Sequence, residues 1–166
     1  GGGGEGSPYL SVDPIPAAPA STPTAALRAT LLDEGAPMHD RYGAMFALRN
    51  RRDAEAAETL AHVLAATRSA LLKHEVAYVL GQMQDCCAGA LAALERTLRD
   101  TSEHPMVRHE AAEALGSIAD ESCVALLREH LTDPEPIVAE SCGVALDILE
   151  FENSGEAEYC YVQTAE

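Results

Sequence analysis

The chain has 166 residues, the size of one domain able to bury roughly two thirds of its unfolded surface without disulfide or metal staples. Hydrophobic residues make up 47% of it but aromatics only 4%, with no Trp, and Ala and Leu supply much of the rest, a helical composition. Eleven Lys and Arg against 27 Asp and Glu leave a formal charge of -16, which argues against binding nucleic acid and favours a basic partner. No apolar run approaches a membrane span and no secretory leader pattern opens the chain, so a cytoplasmic protein with no membrane partner is expected. Five Cys without a CxxC pair indicate neither a disulfide framework nor a structural zinc site, and reduced thiols packed as small hydrophobes are expected.

In chain order, residues 1–23 hold five Gly and five Pro and read as a flexible linker. Without an initiator Met, the chain reads as a piece of something that continues upstream. From Thr24 a helical period runs to about residue 152, and residues 153–166 read as an irregular tail. Within 24–152 four octapeptides align without gaps: Arg41-Tyr-Gly-Ala-Met-Phe-Ala-Leu48, Lys73-His-Glu-Val-Ala-Tyr-Val-Leu80, Arg108-His-Glu-Ala-Ala-Glu-Ala-Leu115 and Ala139-Glu-Ser-Cys-Gly-Val-Ala-Leu146. Their second places, 42, 74, 109 and 140, are 32, 35 and 31 residues apart, a helix-pair solenoid period. A shorter amphipathic helix precedes each: about Thr24–Asp33, Asp53–Ala65, Ala88–Arg99 and Glu121–Leu131. Pro37, Pro105 and Pro136 stand where the second helices begin, a place that tolerates the missing N–H. The fold expected is all-α, a HEAT-like solenoid of four repeats and about eight helices.

Laid out at 100° per residue, the helix Leu72–Met83 turns Leu72, Val76, Val79, Leu80 and Met83 inward. The opposite side carries His74, Glu75, Tyr78, Gly81 and Gln82, with neither Lys nor Arg. Val107–Ile118 repeats the layout, with His109, Glu110, Glu113, Gly116 and Ser117 on the polar side. Gly stands seven places after each His, although Gly in a helix interior costs up to about 1 kcal/mol against Ala. Either a ligand or a neighbouring helix must approach the backbone there, and space for a ligand is the expectation.

Stacked second helices lie about 8–10 Å apart, so His74 and His109 at matched places can meet at one ion. Each Glu is rotated by about 100° from its His and so points sideways, toward a second ion or a ligand. Imidazole with carboxylate suits iron, zinc, copper or manganese. The competing reading is a pair of consensus polar residues hydrogen-bonded along an inner face; two pairs in register favour the metal. His39, His62, His104 and His130 fall outside this register and read as surface or capping residues.

The strings Pro8-Tyr-Leu-Ser-Val-Asp-Pro14, Arg41-Tyr-Gly-Ala-Met-Phe-Ala-Leu-Arg-Asn50, His74-Glu-Val-Ala-Tyr-Val-Leu-Gly-Gln82, Pro105-Met-Val-Arg-His-Glu110 and Glu140-Ser-Cys142 closely resemble the deoxyhypusine hydroxylases, HEAT-repeat di-iron monooxygenases. That family has two halves of four repeats, each with two His-Glu pairs, and this chain resembles the C-terminal half. The resemblance implies hydroxylation by O2 of deoxyhypusine on translation initiation factor 5A, giving hypusine. It also implies a di-iron Fe(2+) centre shared with the N-terminal half as partner. By position, His74, His109 and Glu110 would be metal ligands, and Glu75, the catalytic carboxylate, would cross the cleft to the other iron. Tyr42, Gly81, Gln82 and Met106 match the substrate pocket. Two of the family's four His-Glu pairs are absent from this chain, so its site would be incomplete alone. A non-catalytic HEAT-like interaction module and a single-metal binding protein are the alternatives.

Overall fold

The computed structural model describes residues 13–84 and 88–154. They form eight α-helices and no strand: α1 Thr24–Leu32, α2 Met38–Arg51, α3 Ala54–Ala66, α4 Ala70–Gln82, α5 Ala88–Arg99, α6 Pro105–Ile118, α7 Val124–Glu129 and α8 Pro136–Asn153. They pair as α1/α2, α3/α4, α5/α6 and α7/α8, with the second helices α4, α6 and α8 packed side by side. This is the HEAT-like solenoid of four repeats.

Local chemistry sets the helix starts. Asp53 accepts from the Ala56 N–H at 2.8 Å, and Ser69 from the Leu72 N–H at 3.2 Å, which brings the start of α4 forward to Ala70. His104, expected as a capping residue, caps α6 by accepting from the Met106 N–H through Nδ1 at 3.1 Å, with Pro105 in the first helical place. Ala119 ends α6 at φ 58°, a left-handed conformation that ordinarily favours glycine. The helix expected over Glu121–Leu131 is broken up: single 3-10 turns, Glu121–Cys123 and His130–Thr132, flank a short α7. Asp120 draws the first of them tight by accepting the Ser122 N–H at 2.8 Å.

The core lies between first and second helices. Leu60 and Leu64 of α3, Leu72, Val76, Val79 and Leu80 of α4, Leu94 and Leu98 of α5, and Val107, Ala111 and Leu115 of α6 are all buried. Cys123 and Cys142 join this core as free thiols, and burial is the largest cause raising each thiol to about 11. The remaining cysteines lie outside the described residues.

Two arginines are buried in that core, which the hydrophobic pattern did not foretell. Arg41 and Arg108 are only 2% and 1% exposed. Each occupies the first place of its octapeptide and donates twice to the carbonyl closing the preceding helix: Arg41 to Leu31 at 3.1 and 2.7 Å, Arg108 to Leu98 at 3.0 and 2.8 Å. That use satisfies helix-end carbonyls the helix itself leaves unpaired. Each then reaches into the turn of the next repeat. Arg41 donates to the Thr67 hydroxyl at 2.9 Å, and Arg108 makes a two-pronged contact with Asp133 at 3.0 and 2.6 Å. Lys73, in the same place of the second repeat, pairs with Glu103 of the third. A cation therefore bridges every boundary between adjacent repeats. His130 belongs to this arrangement rather than to the open surface: its Nδ1 lies 2.8 Å from Asp133, and its side chain is 13% exposed.

Residues 13–23, expected to be part of a flexible linker, instead pack on the first repeat. Ile15, Ala17 and Ala18 lie against the core, the Ala18 N–H donates to the Gly43 carbonyl at 2.9 Å, and Asp13 takes two hydrogen bonds from Arg49 at 2.9 and 2.5 Å. Prolines at 14, 16 and 19 restrict the backbone beforehand, so a few contacts suffice to order it. The rest of the expected linker, and residues 155–166 of the expected tail, lie outside the described residues.

Candidate metal centre

The second helices meet in a constant register. A side chain in the second place of one octapeptide faces the third place of the next. His74 Nε2 lies 3.1 Å from Glu110 Oε2, and His109 Nδ1 lies 2.5 Å from Ser141 Oγ. In the first repeat the second place is Tyr42, whose hydroxyl is pushed up first by burial and then by the charge of Glu75.

Seven residues after each His the neighbouring helices are in close contact. A Cβ on Gly81 would stand 3.0 Å from Ala114 Cα and Cβ, and one on Gly116 would stand 2.8 Å from those of Ala145. The glycines therefore seat one second helix on the next. Gly81, expected to leave room for substrate, is buried, and a side chain there would meet α6. Gly116 likewise leaves the polar side for the contact with α8.

This close seating brings the donors together. The His74 and His109 rings are 6.5 Å apart between centroids and 27° from parallel. One ligand atom from each of His74, His109 and Glu110 lies within 4.8 Å of the others. Glu110 does not point sideways as the single-helix layout implied. It stands between the two imidazoles, 3.9 Å from His109 Nε2 as well, with its side chain only 7% exposed. Burial raises its carboxyl above the usual range, the nearby His74 opposes that, and the charges of Glu113 and Glu75 add to it.

Glu75 stands outside this trio. Its Oε1 is 3.4 Å from His74 Nδ1, and its side chain is about one-third exposed. Tyr42 is half-buried, edge-on to Phe46 at 6.4 Å, while Gln82 and Met106 are exposed. Gln82 lies 3.4 Å from the Tyr78 hydroxyl and 3.5 Å from Arg49, and Tyr78 is 50% exposed. In α8 the places corresponding to Tyr78 and Gln82 hold Val144 and Ile148, both exposed, which extends the same face with apolar groups. The octapeptide alignment contains that information, but attention to polar residues alone passes over it. His39 and His62 are exposed, as expected for surface residues.

A family model described as HEAT repeats matches residues 70–147, and one described as PBS lyase HEAT-like repeat matches residues 40–66. A protein of Oryza sativa subsp. japonica, deoxyhypusine hydroxylase-B, is 54% identical over 159 residues, covering 95% of this chain and 52% of that protein. The chain is a HEAT-like solenoid related to the deoxyhypusine hydroxylases. The deoxyhypusine hydroxylase of Rattus norvegicus is 56% identical over 152 residues, covering 92% of this chain and 49% of the rat protein. The solved structure of human deoxyhypusine hydroxylase in complex with glycerol superposes with a TM-score of 0.79 at 52% identity, covering 90% of this chain and 50% of that one. The chain thus spans about half the length of the deoxyhypusine hydroxylases it matches. No helix among the described residues is long and apolar enough to cross a membrane.

Proposed function

We propose that the chain is the C-terminal half of a deoxyhypusine monooxygenase, hydroxylating the deoxyhypusine side chain of translation initiation factor 5A, with Fe(2+) held partly by residues of this chain. The observation that carries this is the trio His74, His109 and Glu110, converging from two adjacent helices in a chain whose relatives bear the deoxyhypusine hydroxylase name. Two imidazoles and a carboxylate fit ferrous iron, and the buried Glu110 is a negative group without a Lys or Arg beside it. Iron bound there would supply activation of O2. His74 and His109 would hold it, Glu110 would balance its charge, and Glu75 would orient the second metal or the substrate from the rim. Tyr42, Gln82 and Met106 would line the approach of the substrate amine, and the charge of -16 favours that cation. The same trio would hold a single ion in a protein without turnover, which is the second reading.

Iron content and hydroxylation, measured for this chain alone and after adding the N-terminal half as a separate polypeptide, decide between them. Turnover is expected only with both halves, at a di-iron site shared between them. Removing His74, His109 or Glu110 should abolish iron binding by this chain, whereas Glu75→Gln and His62→Ala should spare it. Iron bound without turnover in the two-piece mixture would favour the single-metal protein.

A further inference from the structure

The third place of the octapeptide is Glu75 in the second repeat and Glu110 in the third, yet Ser141 in the fourth. We propose that Ser141 is a positioning residue: it holds His109 as the tautomer protonated on Nδ1, leaving Nε2 as a lone pair aimed at the space between His74 and Glu110. The part of this inference that concerns a metal rests on the function proposed above; the tautomer does not.

The hydrogen count carries it. Ser141 Oγ lies 2.7 Å from the Ile137 carbonyl and 2.5 Å from His109 Nδ1. A carbonyl only accepts, so the single hydroxyl proton goes to Ile137. The short contact to His109 then requires a proton on Nδ1, donated to Ser141 Oγ. A second acceptor stands on the same side, since Glu113 Oε1 is 3.6 Å from that nitrogen. With one ring proton committed, the neutral imidazole has none on Nε2, which faces Glu110 Oε2 at 3.9 Å. Two electron pairs then face one another across a gap without a proton, an arrangement that a cation satisfies. Ser141 is 4% exposed, so water has little access to take its place.

The test uses the whole chain with nitrogen-15 in its histidines, free of metal, near pH 8, where long-range proton–nitrogen spectra report the tautomer of each ring. His109 should show the Nδ1–H form. Ser141→Ala should move it toward the Nε2–H form common in water and leave the His62 signals unchanged. Ser141→Thr, which keeps a hydroxyl able to bond the carbonyl four residues back, should retain the parental spectrum. Cobalt(II) titration of the same samples should show about a 10–100-fold loss of affinity for Ser141→Ala and none for Ser141→Thr. An Nε2–H ring in the parent, or a Ser141→Ala spectrum and affinity equal to the parent's, would overturn the assignment. A parent with the Nδ1–H ring that binds no cobalt would instead refute the metal reading and leave the tautomer standing.

Discussion

Gly116 and Ala145 touch across α6 and α8 so closely that a methyl group on Gly116 would lie 2.8 Å from both Ala145 Cα and Cβ. Helix propensity alone predicts that Gly116→Ala stabilises the protein by about 1 kcal/mol. The contact reverses the sign, because backbone atoms cannot yield as a flexible side chain would, and overpacking of this kind costs about 1–3 kcal/mol. Urea unfolding should therefore show Gly116→Ala to be destabilised, Gly81→Ala less so at 3.0 Å from Ala114, and Ala145→Gly to relieve the former. A stabilised Gly116→Ala would mean that α6 and α8 sit further apart.

Arg108 and Asp133 form the most deeply buried ion pair among the described residues, with side chains 1% and 2% exposed. Arg108→Met leaves the buried Asp133 carboxylate without its guanidinium and the Leu98 carbonyl without that donor, at a cost of about 3–5 kcal/mol. Lys73→Met should cost less, because Lys73 and Glu103 are 17% and 14% exposed and water can reach both. Chemical denaturation of the two variants checks the order, and equal losses would refute it.

Acid should destabilise the protein through the same bridges. The Arg108 guanidinium chiefly holds Asp133 well below its ordinary 3.8. The Arg68 N–H and the Thr67 hydroxyl, with Arg41, hold Glu34 at about 2 instead of 4.5. Lowered folded-state values mean that the stabilisation is complete above about pH 5. It then drains away as the pH falls toward about 2, because the unfolded carboxyls take up protons first. Urea midpoints between pH 7 and pH 3 should fall in the parent and fall less in Asp133→Asn, which lacks one of the two groups. A parallel decline would remove Asp133 from the explanation.

Much of this architecture was legible beforehand, because a helical period and a repeated octapeptide depend only on neighbours along the chain. Thr24–Leu32 and Ala88–Arg99 fall within a residue of their expected bounds. What a single helix cannot reveal is which of its flanks faces the next helix. Glu110 and Gly116 lie on the polar arc of α6 when it is drawn alone, and only the stacking of α4 and α8 on either side buries them. The buried cations were hidden for the same reason. A cation in the first place of three octapeptides, with acids at Glu103 and Asp133 just before the next second helices, was the signal available. Residues 13–23 read as a linker because a proline-rich stretch carries no period, although Ile15 and Ala18 supply contacts enough to anchor it.

The cationic bridges also bear on how the molecule comes apart. An array of weakly joined repeats frays from its ends, each unit melting nearly on its own. Here every boundary carries a buried or half-buried ion pair or hydrogen bond, at Arg41 with Thr67, Lys73 with Glu103 and Arg108 with Asp133. Releasing one repeat leaves its neighbour with an unpaired group, which discourages partial melting and ties the four units into one transition. The boundary bridged by Lys73 is the one that His74 and Glu110 span, so the donor set holds its spacing until the array as a whole gives way.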